Sequence, residues 1–115
     1  MIAGLGAVFG FTAVALGAFG AHALSEGFSE KQIGWWETAT LYLLVHAALV
    51  TALGVAGGER YAMAGLVMIL GAGLFAGTLY AMALGAPTWL GAITPIGGLG
   101  LLAGWALIAW TALKS

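Results

Sequence analysis

The sequence predicts an all-α integral membrane protein, a single domain over residues 1–115 with four transmembrane helices, glycine-rich packing and no soluble domain. Three observations predict it. Hydrophobic residues make up 63% of the chain and charged residues only 6%, against roughly a quarter charged in soluble domains. The charged side chains (Glu26, Glu30, Lys31, Glu37, Glu59, Arg60 and Lys114) fall between or beside the apolar runs, where a bilayer tolerates them. Each run is also long enough to cross roughly 30 Å of hydrocarbon at about 1.5 Å per residue. The spans expected are about 2–24, 35–56, 62–85 and 95–113. A net charge of −1 without a basic cluster excludes nucleic acid as a partner. The absence of cysteine excludes disulfides, thiolate metal sites and iron–sulfur clusters.

Segment one, Ile2 to Leu24, contains no charged side chain. Ala21-His22-Ala23 resembles a signal-peptidase site, but the run is longer than a signal-peptide core and no Lys or Arg precedes it, so it reads as a retained helix. Ala3, Gly6, Gly10, Ala13, Gly17 and Gly20 recur on one face. Gly6 and Gly10 form a GxxxG pair, which lets helix backbones approach closely in lipid. In the first loop, Ser29 and Gln32 have the spacing of a capping box, placing a helix start near Glu30. Trp35 and Trp36 mark the membrane–water boundary. The second run ends at Gly57-Gly58, as helices do at glycine.

Glu59, Arg60 and Tyr61 make a connection too short for anything but antiparallel neighbours. Segment three carries Gly73 and Gly77 at GxxxG spacing and ends at Ala86-Pro87-Thr88-Trp89, with Trp89 as a second interfacial anchor. Thr94-Pro95 has the form of a helix start, Thr as N-cap and Pro in the first position. Gly100 and Gly104 repeat the glycine spacing in segment four. Four crossings put both termini on one side with Arg60 and Lys114, and the positive-inside rule then places both termini in the cytoplasm. Gly17–His22 and Gly73–Thr78 echo each other near the exits of the odd segments, the pattern a parallel repeat would leave.

The polar side chains are unevenly distributed. Thr38, Tyr42 and His46 are four residues apart, so they stack on one face of segment two. With this topology His22, Glu37, Thr38, Tyr42, Thr78, Tyr80 and Thr94 all fall in the half of the membrane nearest the first loop. His46 lies roughly 15 Å below Trp36, at the depth of Trp105. Two readings of this cluster stand. In one it is hydrogen-bonded glue, each bond contributing about 0.6–2 kcal/mol in lipid. In the other it is a pocket near His22, Tyr42 and His46 that binds or moves a small amphipathic ligand: a lipid headgroup, quinone or small solute.

Other chemistry fits less well. Haem needs two imidazoles at one depth, and His22 and His46 are about 10 Å apart along the membrane normal. Two histidines without Cys or a spaced carboxylate make a poor zinc site. No Ser–His–Asp set, paired carboxylates or phosphate loop is present, although Glu37 and His22 could pair if the helices brought them together. Small multidrug exporters are of similar size, but they rely on a glutamate in the first helix, which this chain lacks.

The stretches Gly17-Ala18-Phe19-Gly20-Ala21-His22-Ala23-Leu24, Trp36-x-Thr38-Ala39-x-x-Tyr42-x-x-x-His46-Ala47, Phe75-x-Gly77-Thr78-Leu79-Tyr80, Ile93-Thr94-Pro95-Ile96-Gly97-Gly98 and Gly104-Trp105 resemble, in order, the YgdD/YwdK-type family of small four-helix membrane proteins. That family is a domain of unknown function with eukaryotic relatives. Thr78 stands where serine is more usual, which preserves the hydroxyl. The resemblance implies a multi-pass protein of the bacterial plasma membrane and supplies no activity. The expectation is therefore a non-enzymatic membrane component, structural or adaptor in role, without cofactor, metal or catalytic residue. Its partners are the lipid bilayer and a possible second copy of itself. The candidate ligand-binding residues, should a pocket exist, are His22, Glu37, Thr38, Tyr42, His46, Thr78 and Tyr80.

Overall fold

Four helices alternate in direction along the chain: α1 (Ile2–Phe19), α2 (Glu30–Gly57), α3 (Ala62–Ala83) and α4 (Thr94–Lys114). The computed structural model describes residues 1–114, with the side chains of residues 23–25 outside the description; those of Ala23 and Leu24, which close the first family-like stretch, are among them. All four helices are long and apolar enough to cross a membrane. The molecule measures 49 × 27 × 18 Å, close in length to a bilayer with its headgroups, about 40–45 Å, and only about two helices deep.

Helix ends follow the local sequence. Ser29 Oγ accepts from the Gln32 backbone N–H at 3.2 Å, and Gln32 Oε1 accepts from the Ser29 N–H at 2.8 Å. Those two bonds satisfy orphan donors and start α2 at Glu30, ahead of the expected span at Trp35. The other end of Gln32 donates to Ala83 O at 2.9 Å, tying the start of α2 to the end of α3. Gly58 closes α2 at φ 57°, a conformation side chains resist. The α-helix of segment one stops at Phe19 and continues as a wider π-helical turn over Gly20–Leu24. The hydroxyl of Thr94 does not cap α4; it turns to Thr78 instead, and α4 begins at Thr94 itself.

The interfaces run in chain order, α1 on α2, α2 on α3 and α3 on α4, while α1 and α4 share no comparable interface. The helices thus form a flattened array with the α2–α3 pair at its middle. Half of the most apolar stretch of α3 is buried, against 17% for α1, so α3 supplies the core and α1 gives most of its surface to lipid. In lipid nothing hydrophobic drives helices together, and close backbone packing takes over that role.

The seams show that packing. A methyl at Gly6 would lie 2.7 Å from Thr51 N, and one at Gly54 would lie 2.5 Å from Ala3 N, so α1 and α2 touch backbone to backbone. Gly71, Gly97 and Gly100 do the same for α3 and α4. The expected Gly73–Gly77 seam is not used in this way: Gly73 faces Phe9, and nothing lies within 4 Å of a methyl placed at Gly77. Trp36 is buried in the core, while Trp35 beside it is half-buried with the Lys31 ammonium 5.3 Å from its ring. At the opposite end, Arg60 donates to Thr111 O at 3.1 Å, a cation against the C-terminal carbonyls of α4.

Candidate functional site

The polar side chains of α2 project from two faces. Thr38, Tyr42 and His46 make one; Trp36 and Thr40 make another, since two residues turn an α-helix by about 200°. The sequence pointed to the first face and missed the second.

His46 is buried, only 6% exposed. Its Nε2 accepts from the Trp105 indole N–H at 3.1 Å, and its Nδ1 lies 2.7 Å from Tyr42 O. A carbonyl can only accept, so Nδ1 carries the proton and Nε2 the lone pair, which fixes a neutral imidazole of one tautomer. Protonating Nε2 would displace the Trp105 N–H. Both nitrogens are therefore engaged, and neither is presented to a metal or a proton relay. Trp105 also packs its ring edge-to-face on the imidazole, centroids 6.0 Å apart. The Tyr42 ring stacks on His46 at 6.2 Å and against Phe75 at 4.6 Å.

On the second face, Trp36 Nε1–H donates to Leu16 O at 2.8 Å, just before α1 widens into its π-helical turn. Such turns loosen the regular ladder and let a carbonyl take an outside donor. Thr40 Oγ1 and Tyr80 Oη lie 2.7 Å apart, joining α2 to α3. Trp36 packs on Tyr80 edge-to-face at 4.6 Å. Thr40 was identifiable in principle, because it follows Trp36 by one turn and is a hydroxyl in an otherwise apolar run.

A third tie joins α3 to the start of α4. Thr78 and Thr94 hydroxyls lie 2.6 Å apart; Thr78 donates its proton back to Leu74 O at 2.9 Å and so accepts from Thr94. No hydrogen bond links these ties into one network among the described residues, and none of their buried polar atoms lacks a partner.

The remaining candidates stand apart. His22 is exposed on the π-helical turn, and Thr38 and Glu37 are exposed on α2. Glu37 makes no ion pair with His22 or with any other described residue. His22 is exposed while Thr78, its counterpart in the internal echo, is buried, so the two positions have different surroundings. Among the described residues no group of three His, Cys, Asp or Glu side chains gathers to hold a metal ion. A cavity of about 410 Å³ opens between α1 and α2 and is lined by Glu37 and Thr40 but not by His22, Tyr42 or His46. This cavity lies on the face of α2 opposite Thr38, Tyr42 and His46.

Residues 16–98 match the model of a family described as a protein of unknown function, DUF423. The chain is similar to a UPF0382 membrane protein of Staphylococcus epidermidis, 39% identical over 113 residues that cover 96% of this chain and 93% of that protein. It is also similar to the UPF0382 inner membrane protein YgdD of Escherichia coli K12, 38% identical over 112 residues covering 94% and 86%. The UPF0382 membrane protein SH2409 of Staphylococcus haemolyticus is 40% identical over 113 residues, covering 96% and 93%. No solved structure matches the chain significantly.

Proposed function

The chain belongs to the DUF423 family of membrane proteins, and on that premise we propose that it serves as a structural or adaptor component of the bacterial plasma membrane rather than as an enzyme. One observation supports this reading above the others. The buried polar side chains of the spans are tied in separate pairs across helix interfaces, and no orphaned buried group points into a cavity among the described residues. Their hydrogen-bonding capacity is taken up by helix packing. The outer faces of α1 and α4, carrying Phe11, Val14, Leu102 and Trp110, remain for lipid or for a second copy of the chain.

The test is to remove one tie at a time and follow both folding and bound species. Thr78→Val and Thr94→Val each lower unfolding stability in detergent by about 0.5–2 kcal/mol, and the doubly substituted chain loses less than the sum. Native mass spectrometry of the variants shows the same oligomer and the same bound lipid as the parent. A tie whose removal leaves stability intact but strips a specific bound molecule overturns the structural reading.

A further inference from the structure

We propose that the cavity between α1 and α2 is a binding site for an amphiphile headed by a protonated amine. This goes beyond the structural role argued above and does not depend on it.

The argument starts from the register of α2. Glu37, Leu41 and Leu44 all line the cavity, spaced at i, i+4 and i+7 on one helix face. Glu37 lies about 10 Å along the helix from its start at Glu30, near headgroup depth. Leu41 and Leu44 follow one and two turns deeper, toward the bilayer centre. The carboxylate thus sits above Leu41 and Leu44, with the apolar Phe28 and Ile33 closing the wall on the loop side, so an amphiphile would set its head at Glu37 and its chain along the leucines. The opposing wall contributes Gly17, Gly20 and Ala21; a methyl on Gly20 would run into the Trp36 indole and one on Gly17 would lie 3.0 Å from Thr40 Cγ2, so these glycines let the first span seat closely on α2 beside the cavity. At about 410 Å³ the cavity falls within the roughly 300–1,000 Å³ of small-ligand sites.

Charge selects the headgroup. Among the described residues the Glu37 carboxylate has no ion pair and no hydrogen bond. The one lysine of this side, Lys31, is held over the Trp35 ring at 5.3 Å. A carboxylate at the edge of a low-dielectric region favours a cationic partner and repels phosphate and carboxylate groups. Thr40, one turn deeper on the same wall, adds a hydroxyl. It and Tyr80 hold two protons and share one bond, leaving one O–H to donate and lone pairs to accept. An ammonium group has three donors, enough to meet both Glu37 and Thr40.

The experiment uses the full chain in phosphatidylcholine nanodiscs, titrated with dodecylamine, dodecanol and dodecanoate and read by native mass spectrometry. Dodecylamine is expected to bind saturably at one per chain, and dodecanoate not to bind. Glu37→Gln weakens dodecylamine by about tenfold or more and leaves dodecanol unchanged. Glu37→Lys reverses the preference, losing the amine and gaining dodecanoate, which keeps the test decisive if the glutamine variant folds poorly. Ala21→Phe, which fills the cavity mouth, removes dodecylamine and dodecanol alike. Repeating the titration with phosphatidylethanolamine in the disc identifies the source. Competition assigns the site to a lipid headgroup, and its absence assigns it to a lipid-soluble amine. Dodecanoate binding as tightly as dodecylamine, or amine affinity unchanged in both folded Glu37 variants, overturns the proposal.

Discussion

Replacing Gly97 with alanine tests the α3–α4 seam. A methyl there would sit 2.8 Å from both Gly71 O and Phe75 Cα and closer still to Phe75 N, whereas ordinary contact begins at 3.4 Å. All three are backbone atoms, so no side chain can rotate away and the helices must part by about 0.6 Å or more. A gap of that size forfeits a quarter or more of each contact's attraction, about 0.1–0.2 kcal/mol per atom pair when intact. Over the few dozen pairs of such a seam the cost is about 1–3 kcal/mol, in line with overpacked cores. Alanine also favours the helix by about 1 kcal/mol, which offsets part of the cost. Gly77→Ala carries the same helix gain with nothing within 4 Å of the new methyl. The difference between the two variants therefore isolates the seam, and Gly97→Ala is expected to be the less stable by about 1–3 kcal/mol. Reversible unfolding by sodium dodecyl sulfate titration in mixed micelles measures both. Equal stability of the two variants would refute close backbone approach as what holds α4 in place.

Three further outcomes are expected. A double-mutant cycle on His46→Leu and Trp105→Phe yields a coupling of about 0.6 kcal/mol, up to about 1.7; zero coupling would mean that the indole–imidazole bond contributes nothing. Ser29→Ala removes one arm of the capping box and lowers stability by about 1 kcal/mol, with amide exchange accelerated at Gln32 and not at α4. For orientation, the chain has no cysteine, so single substitutions report cleanly. With the termini in the cytoplasm, Gly27→Cys reacts with a membrane-impermeant maleimide in intact cells and Lys114→Cys reacts only after lysis; the reverse pattern inverts the topology.

Composition and run length settled the membrane class and the number of helices. With so few charges, apolar runs of this length have to satisfy their own backbone hydrogen bonds in lipid, and in an all-α chain that means helices. Local chemistry settled the ends that close within a few residues, as at Ser29–Gln32 and Gly58. The depth of each polar residue was also legible, because helix rise is fixed; His46 and Trp105 were placed at one level and prove to be bonded. Rotation was not. Which way each helix face turns depends on neighbours far along the chain, and in uniformly apolar helices no polar stripe marks the inside. So Trp36 proved to face the core, Thr40 emerged as the partner of Tyr80, and Gly71 rather than Gly73 or Gly77 met α4. The cavity beside Glu37 follows from the same cause, since its lining is assembled from the first span, the loop after it and one side of α2. The sequence by itself determined that four helices cross the bilayer and that His46 and Trp105 share a level, because apolar run length and helix rise are local. Only the tertiary structure decided which side chains meet, because helix rotation is set by distant neighbours.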